Sequence, residues 1–402
     1  MRNPARHTLA AITLALLALL GASPALMAAP LYPPADPDPF YAAPAELAQA
    51  APGDVLKIRP RPIPPGFAGV ETWQIQFRST DSAGAPIAAT TMLFLPLNRT
   101  ANGPLLSFQH IINALGLQCT PSRALYTNDP LDVIREAPAL NAAFQQGWSV
   151  AVPDHLGPKS AYGAARLGGT ITLDGIRAVQ RATQFQLTES PITMAGYSGG
   201  GMATAFAAAL APAYAPELNI IGAAAGGVPM DLRDLANALG DDPHPAFGLA
   251  FAAALGLERE YPERFPVSTQ LTDSGRALQR QLNDGCTNDI LGVGINRGIR
   301  DIAVAPELVD SPEATAVIEE NSVSSYPGVP TTPMFIWHSS TDLLVPIDAV
   351  DRTVARYCAA GSTVALHRVN SPDHLTAALE GLPAAVAYLQ ARYRGEPAPS
   401  TC

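Results

Sequence analysis

The pentapeptide Gly196-Tyr197-Ser198-Gly199-Gly200 constrains the fold more tightly than any other stretch of the chain. An apolar run, Ile192 to Ala195, enters it, and an Ala-rich run, Met202 to Leu210, leaves it. The pattern G-x-S-x-G alone arises by chance in roughly one chain in seven of this length and composition, so the setting carries the weight. A strand that passes directly into a helix must bend sharply at the serine, and glycines belong at 196 and 200 because a Cβ there would collide. Such a turn lifts the hydroxyl above the strand end. It also places the hydroxyl beside a helix N-terminus, which favours negative charge developing nearby.

The rest of the chain supplies a sheet for that turn. Val70 to Phe77 and Ile87 to Leu95 alternate with period two and are joined through Asp81-Ser82-Ala83-Gly84, which predicts a hairpin-type connection. Pro104 to Phe108 and Trp148 to Pro153 are short apolar runs suited to strands buried on both faces. Helical stretches are expected around Ala139 to Gln146, Thr172 to Gln186 and Gly199 to Leu210, with a strand at Leu218 to Ala224. Strands alternating with helices predict an α/β fold with a mostly parallel sheet and right-handed crossovers. The rhythm breaks over residues 230–328, where helical pieces (Leu232 to Leu239, Phe247 to Leu257, Leu278 to Asn283) occur without a convincing buried strand. It resumes with Pro333 to Trp337, a helix to Cys358, the strand Val364 to Val369 and a closing helix Ala377 to Arg392. The expected organisation is therefore a core of residues 66–229 and 329–402, interrupted by a helical cap at 230–328.

Both ends carry their own signals. Arg2 and Arg6 precede an apolar run from Leu9 to Leu20, with small residues from Gly21 to Ala29. That run rises about 18 Å as a helix, too short for a hydrocarbon layer of about 30 Å. Residues 1–28 accordingly read as a signal peptide, cleaved near Ala25 or Ala28, that sends a secreted or periplasmic protein without a transmembrane segment in its mature form. Residues 29–65, rich in Pro and small side chains, read as an extended arm over the core. Four cysteines in an exported chain predict two disulfides. Of the three possible connectivities, Cys119–Cys286 with Cys358–Cys402 is preferred, because the second bridge would pin a tail, Pro397 to Thr401, that cannot pack by itself.

Composition excludes several classes of function. The net charge is −10 with only 25 Lys and Arg, which leaves no basic stripe to follow a nucleic-acid backbone. Hydrophobic residues make up 48%, enough for a large core. The cysteines form no C-x-x-C pair and the seven histidines lack metal-ligand spacing, so neither a metal site nor a cofactor is expected.

A serine hydroxyl at a strand-to-helix turn needs a general base, and the base needs an acid to orient it. In folds of this class the chain order is Ser, acid, His. Of the histidines after Ser198, His244 falls in the insertion, while His338 and His367 lie on strands, where a satisfied core histidine is expected. His374 stands in the loop Asn370-Ser371-Pro372-Asp373-His374, between the last strand and the last helix, where a base can reach over the sheet. Asp342, following the strand that ends at His338, is the expected acid. Asp348 is the alternative, and Asp373 reads as a loop-capping carboxylate.

With these residues the chain resembles the secretory lipase family, lipase A type, of the α/β-hydrolases. The resemblance runs from about Asp38 to Arg392. It includes Pro39-Phe40-Tyr41, Pro52-Gly53-Asp54-Val55-Leu56, Val152-Pro153-Asp154 with Gly157-Pro158, and Leu173-Asp174-Gly175-Ile176-Arg177. The Ser198 turn, Gly222 to Pro229 and the Asp342 and His374 loops complete it in collinear order. The resemblance implies the α/β-hydrolase fold, the triad Ser198, Asp342 and His374, a cap and lid at 230–328, and disulfides joining the first cysteine to the cap side and the third to the last. It also implies an oxyanion hole from the N–H of Gly199 and a second donor in the loop after the third strand of the core. That loop reads Gln109-His110-Ile111-Ile112-Asn113, followed by Cys119-Thr120-Pro121-Ser122, with Asn113 where the family usually has Asp. The implied activity is that of an exported serine carboxylester hydrolase working through an acyl-enzyme. Its substrate would be an ester or acylglycerol, met at a lipid–water interface. A serine exopeptidase or acyltransferase would use the same triad, and a non-catalytic binding protein could share the fold.

Overall fold

The computed structural model describes residues 29–127, 130–239 and 242–402; the expected signal peptide lies outside the described residues. Nine strands form one sheet in the order β1-β2-β3-β5-β4-β6-β7-β8-β9. The first three, β1 (Val55–Arg61), β2 (Val70–Thr80) and β3 (Pro86–Pro96), are antiparallel. The β2–β3 connection closes on Asp81, whose carboxylate accepts the N–H groups of Ala83 and Ala85, with Gly84 at φ +86°. This turn chemistry, together with period-two patterning, sets the register from Val70↔Pro96 to Thr80↔Pro86. β1 corrects the sequence reading, which had only an arm over residues 29–65. Its side chains are mostly half-buried, so it lacks the alternation that marks a strand with one wet face.

β4 (Leu105–Gln109), β5 (Ser149–Pro153), β6 (Ile192–Tyr197), β7 (Ile220–Gly226), β8 (Met334–Ser339) and β9 (Val364–Val369) run parallel to one another. β5 and β8 are buried along their whole length, as strands covered by helices on both faces must be. In β7, Ala223 and Ala225 join the apolar cluster on one face and Ala224 joins that on the other. The short helix α1 (Pro121–Ala124) follows β4, and α2 (Pro130–Gln145) leads into β5. α3 (Ala165–Arg181) and α4 (Gly199–Tyr214) pack together on one face of the sheet.

Between β7 and β8 the chain forms α5 (Leu232–Leu239), α6 (Phe247–Glu260), α7 (Asp273–Leu282), α8 (Thr287–Gly294), α9 (Ile299–Ile302) and α10 (Pro312–Glu320). The last three were not legible, being short and weakly periodic. Phe247, Phe251 and Leu255 of α6 are buried in the same apolar cluster as α3 and α4, so this segment is continuous with the core. α11 (Ile347–Ala359) and α12 (His374–Tyr393) follow β8 and β9. α12 covers the face opposite α3 and α4, with Ala377, Ala385, Tyr388 and Leu389 in the second cluster.

Both expected disulfides are formed, Cys119–Cys286 and Cys358–Cys402. The second brings the tail against the outer edge of β9, where Thr401 donates its N–H to Val364 and accepts from Leu366. An otherwise open sheet edge is thereby covered.

Candidate active site

β6 delivers its last residue, Tyr197, directly to Ser198, which caps α4 with φ +54° and ψ −120°. That strained conformation is the sharp turn expected of the pentapeptide. The glycines around it are required by contact. A Cβ on Gly196 would lie 2.4 Å from the Gly200 carbonyl oxygen, and one on Gly200 would lie 2.0 Å from that of Gln109. The backbone is therefore packed as closely as bare Cα atoms allow. Ser198 donates its own N–H to Gly226 at 2.8 Å, which fixes the turn to the end of β7.

His374 Nε2 lies 2.9 Å from Ser198 Oγ, and His374 Nδ1 lies 2.6 Å from Asp342 Oδ2. The two side chains come from the ends of neighbouring strands. Asp342 follows β8, and His374 is the first residue of α12, after β9. The other Asp342 oxygen accepts the N–H groups of Leu344 and Val345, each at 2.9 Å. Ser198, Asp342 and His374 are all buried. Burial alone would push the Asp342 carboxyl up. The hydrogen bond and charge of His374, with smaller help from Val345 N–H and His338, outweigh it and hold the group below the ordinary carboxylate range. An ionised Asp342 keeps the proton on His374 Nδ1 and leaves Nε2 free to accept from the serine hydroxyl.

The other candidates fall elsewhere. Asp348 is exposed in the first turn of α11. Asp373 caps α12, accepting the N–H groups of Leu375 and Thr376 at 2.9 Å each. His338 is buried behind Asp342, bonded to the Val345 carbonyl at 2.8 Å, and burial lowers its pKa. His367, expected in the core, is exposed on β9 and stacks on Phe335, because β9 is the last strand of the sheet.

Asn113 comes off the end of β4 against the start of α4. Its side-chain oxygen is so near Gly199 that a Cβ there would sit 2.5 Å from it. Gly199 opens α4, where backbone N–H groups have no partner within the helix. Asn113 therefore lies against Gly199, the residue that follows Ser198.

Tyr197 carries a contact that sequence reasoning did not anticipate. Its hydroxyl donates to the His374 carbonyl at 2.5 Å, and its ring lies 5.1 Å from the imidazole and 5.6 Å from Trp337. Gly227 makes room for that ring, since a Cβ there would lie 2.4 Å from Cζ. Also unanticipated, Asp154 is buried at the end of β5, where both its oxygens accept from Ser122. It joins the loop after β4 to the end of β5.

A model of the secretory lipase family matches residues 130–401. The chain is 33% identical over 374 residues to a probable inactive lipase of Mycobacterium tuberculosis, covering 90% of this chain and 82% of that protein. It is 32% identical over 387 residues to Lipase A of Arthroderma benhamiae, covering 90% of this chain and 80% of that protein. Among solved structures, Candida antarctica lipase A in its closed state superposes with a TM-score of 0.85 at 28% identity, covering 91% of this chain and 89% of that one.

Proposed function

The chain belongs to the secretory lipase family of α/β-hydrolases, and on that premise we propose that it is an exported, active carboxylester hydrolase acting on acylglycerols through Ser198, His374 and Asp342. One relative is described as inactive, so family membership does not by itself carry the proposal. The supporting observation is the unbroken chain of contacts, 2.9 Å from hydroxyl to imidazole and 2.6 Å from imidazole to carboxylate. In this reading His374 Nε2 takes the hydroxyl proton as Ser198 Oγ attacks the ester carbonyl. Asp342 stabilises the imidazolium that forms. The N–H groups of Gly199 and Asn113 hold the oxyanion, and the imidazolium returns its proton to the leaving alcohol. Water activated by the same imidazole then releases the acid from the acyl-enzyme.

No metal or cofactor enters this scheme. The expected signal peptide and the two disulfides support export into an oxidising compartment.

The test is a series of p-nitrophenyl esters and triacylglycerols of graded chain length, with a peptide amide as control, run on the protein and on Ser198→Ala. Ester hydrolysis lost by several orders of magnitude in Ser198→Ala, with an unchanged melting temperature, is the expected result. An Ala variant that retains activity, or amide hydrolysis exceeding ester hydrolysis, would overturn the proposal.

A further inference from the structure

Ser198, Asp342 and His374 stand on the ends of core strands, but the loop that carries Asn113 is fastened chiefly from outside the sheet. The Thr287 hydroxyl, in the first turn of α8, donates to the Asn113 carbonyl at 3.2 Å. Two residues on, the N–H groups of Leu115 and Gly116 both point to the Gly285 carbonyl, at 3.0 and 3.4 Å. A Cβ on Gly116 would lie 2.2 Å from the Asp284 carbonyl oxygen, so the two backbones run in direct contact. The Cys119–Cys286 disulfide closes the seam.

Behind it lies Arg259 of α6, only 1% exposed. Its guanidinium donates to the carbonyls of Leu115 at 2.6 Å, Asn283 at 2.6 Å, Lys159 at 3.0 Å and Ser160 at 3.1 Å. It also reaches the Leu31 carbonyl of the N-terminal arm at 2.8 Å. Burial pulls its pKa down to about 10, which still leaves it cationic at neutral pH. A buried cation held by backbone carbonyls from four separate segments is expensive unless all its donors are used, so it specifies the relative placement of those segments.

We infer that the segment between β7 and β8 sets the oxyanion hole, with Thr287 and Arg259 as positioning residues for the Asn113 loop. This rests on the catalytic reading given above. Neither side chain touches substrate in this scheme. Thr287 fixes the peptide that follows Asn113, and Arg259 fixes Leu115 against Asn283. Together they hold the Asn113 N–H where the tetrahedral oxygen forms. The sheet thus supplies the triad, and the inserted helices hold in place the loop that carries one of the two oxyanion donors.

Thr287 offers the cleaner test, because Thr287→Val keeps the side-chain shape and removes only the hydroxyl, while Thr287→Ser keeps the hydroxyl. Both are assayed in the mature protein with a soluble p-nitrophenyl butyrate substrate and with phenylboronic acid, whose tetrahedral adduct on Ser198 places an oxygen in the hole. The expected result is kcat about 3- to 10-fold lower in Thr287→Val, the range set by loss of one neutral hydrogen bond. KM and melting temperature should be unchanged, boronate affinity should fall by the same factor, and Thr287→Ser should recover both. A Val variant with unchanged kcat and boronate affinity, or one that loses only thermal stability, would overturn the inference. Ser198→Ala tests the underlying reading separately: if it abolishes activity while Thr287→Val is silent, the triad stands and the positioning role falls.

Discussion

Replacing Asp342 by Asn tests the proposed triad through a change of one atom type, and the hydrogen bonds fix what must happen. One carboxylate oxygen accepts two backbone N–H groups, from Leu344 and Val345, and the other accepts His374 Nδ1–H. An amide has a single acceptor oxygen. Placing its NH2 against the two backbone donors would cost both hydrogen bonds, so the oxygen stays there and the NH2 turns to His374. An NH2 donor at 2.6 Å from Nδ1 is compatible only with the imidazole tautomer protonated at Nε2. That tautomer presents a donor to Ser198 Oγ and cannot accept its proton. By analogy with other serine triads carrying this substitution, kcat should fall about 10⁴-fold, or about 5 kcal/mol of transition-state stabilisation. The assay is p-nitrophenyl butyrate hydrolysis at saturating substrate, with circular dichroism to show that the fold is retained. A variant within tenfold of the parent would refute the tautomer argument. Loss of activity in Asp348→Asn, with Asp342→Asn active, would move the acid to the other candidate.

Other perturbations follow from single contacts. Tyr197→Phe removes the hydroxyl that holds the His374 carbonyl and should lower kcat about 3- to 10-fold with little effect on KM, read from saturation curves. Opening Cys119–Cys286 by a double Ser substitution removes a cross-link spanning 167 residues of sequence, worth about 5 kcal/mol in the chain-entropy model; denaturant titration should show that loss. Phe251→Ala should cost about 3–5 kcal/mol by the same measurement and reduce activity on short and long esters alike, because this ring is buried in the core. The Asp342 carboxyl is held below its unfolded value of about 3.9, so its contribution to stability is present above that pH and lost as pH falls through the lower folded value. In unfolding midpoints measured below about pH 4, Asp342→Ala should therefore show a shallower decline than the parent.

The proposed triad could be read from the sequence because the geometry around it is imposed by patterns that survive in one dimension. A turn that needs bare Cα atoms at 196 and 200 leaves glycines in the sequence, and a strand buried on both faces leaves an apolar run before it. A base that must rise above the last strand has to occupy the loop before the closing helix, which left His374 and set His338 and His367 aside. The parallel strands were found within a few residues for the same reason. β1 escaped because an edge strand that is half-buried along its length carries no alternation. The short helices α8, α9 and α10 escaped because their caps and their contacts, more than periodicity, define them. Asp289 and Asp301 accept the backbone N–H groups of Cys286 and Gly298 at the starts of α8 and α9, and Ser311 caps α10.

The residues around Asn113 were illegible for a different reason. Arg259 and Thr287 act on backbone carbonyls, and a carbonyl is present at every position, so the partner leaves no mark in the sequence. A buried arginine bound to a carboxylate can be suspected from two charged residues that need each other. One bound to carbonyls looks like any surface arginine at the polar end of an amphipathic helix, as Glu258-Arg259-Glu260 does at the end of α6. Only its 1% exposure reveals the difference. The same holds for Tyr197, whose partner is the carbonyl of His374. Sequence pattern therefore points to the groups proposed to exchange protons, which must be particular side chains. It is silent about the groups that hold them in place through the main chain, among them Tyr197 of the core and Arg259 and Thr287 of the inserted helices between β7 and β8.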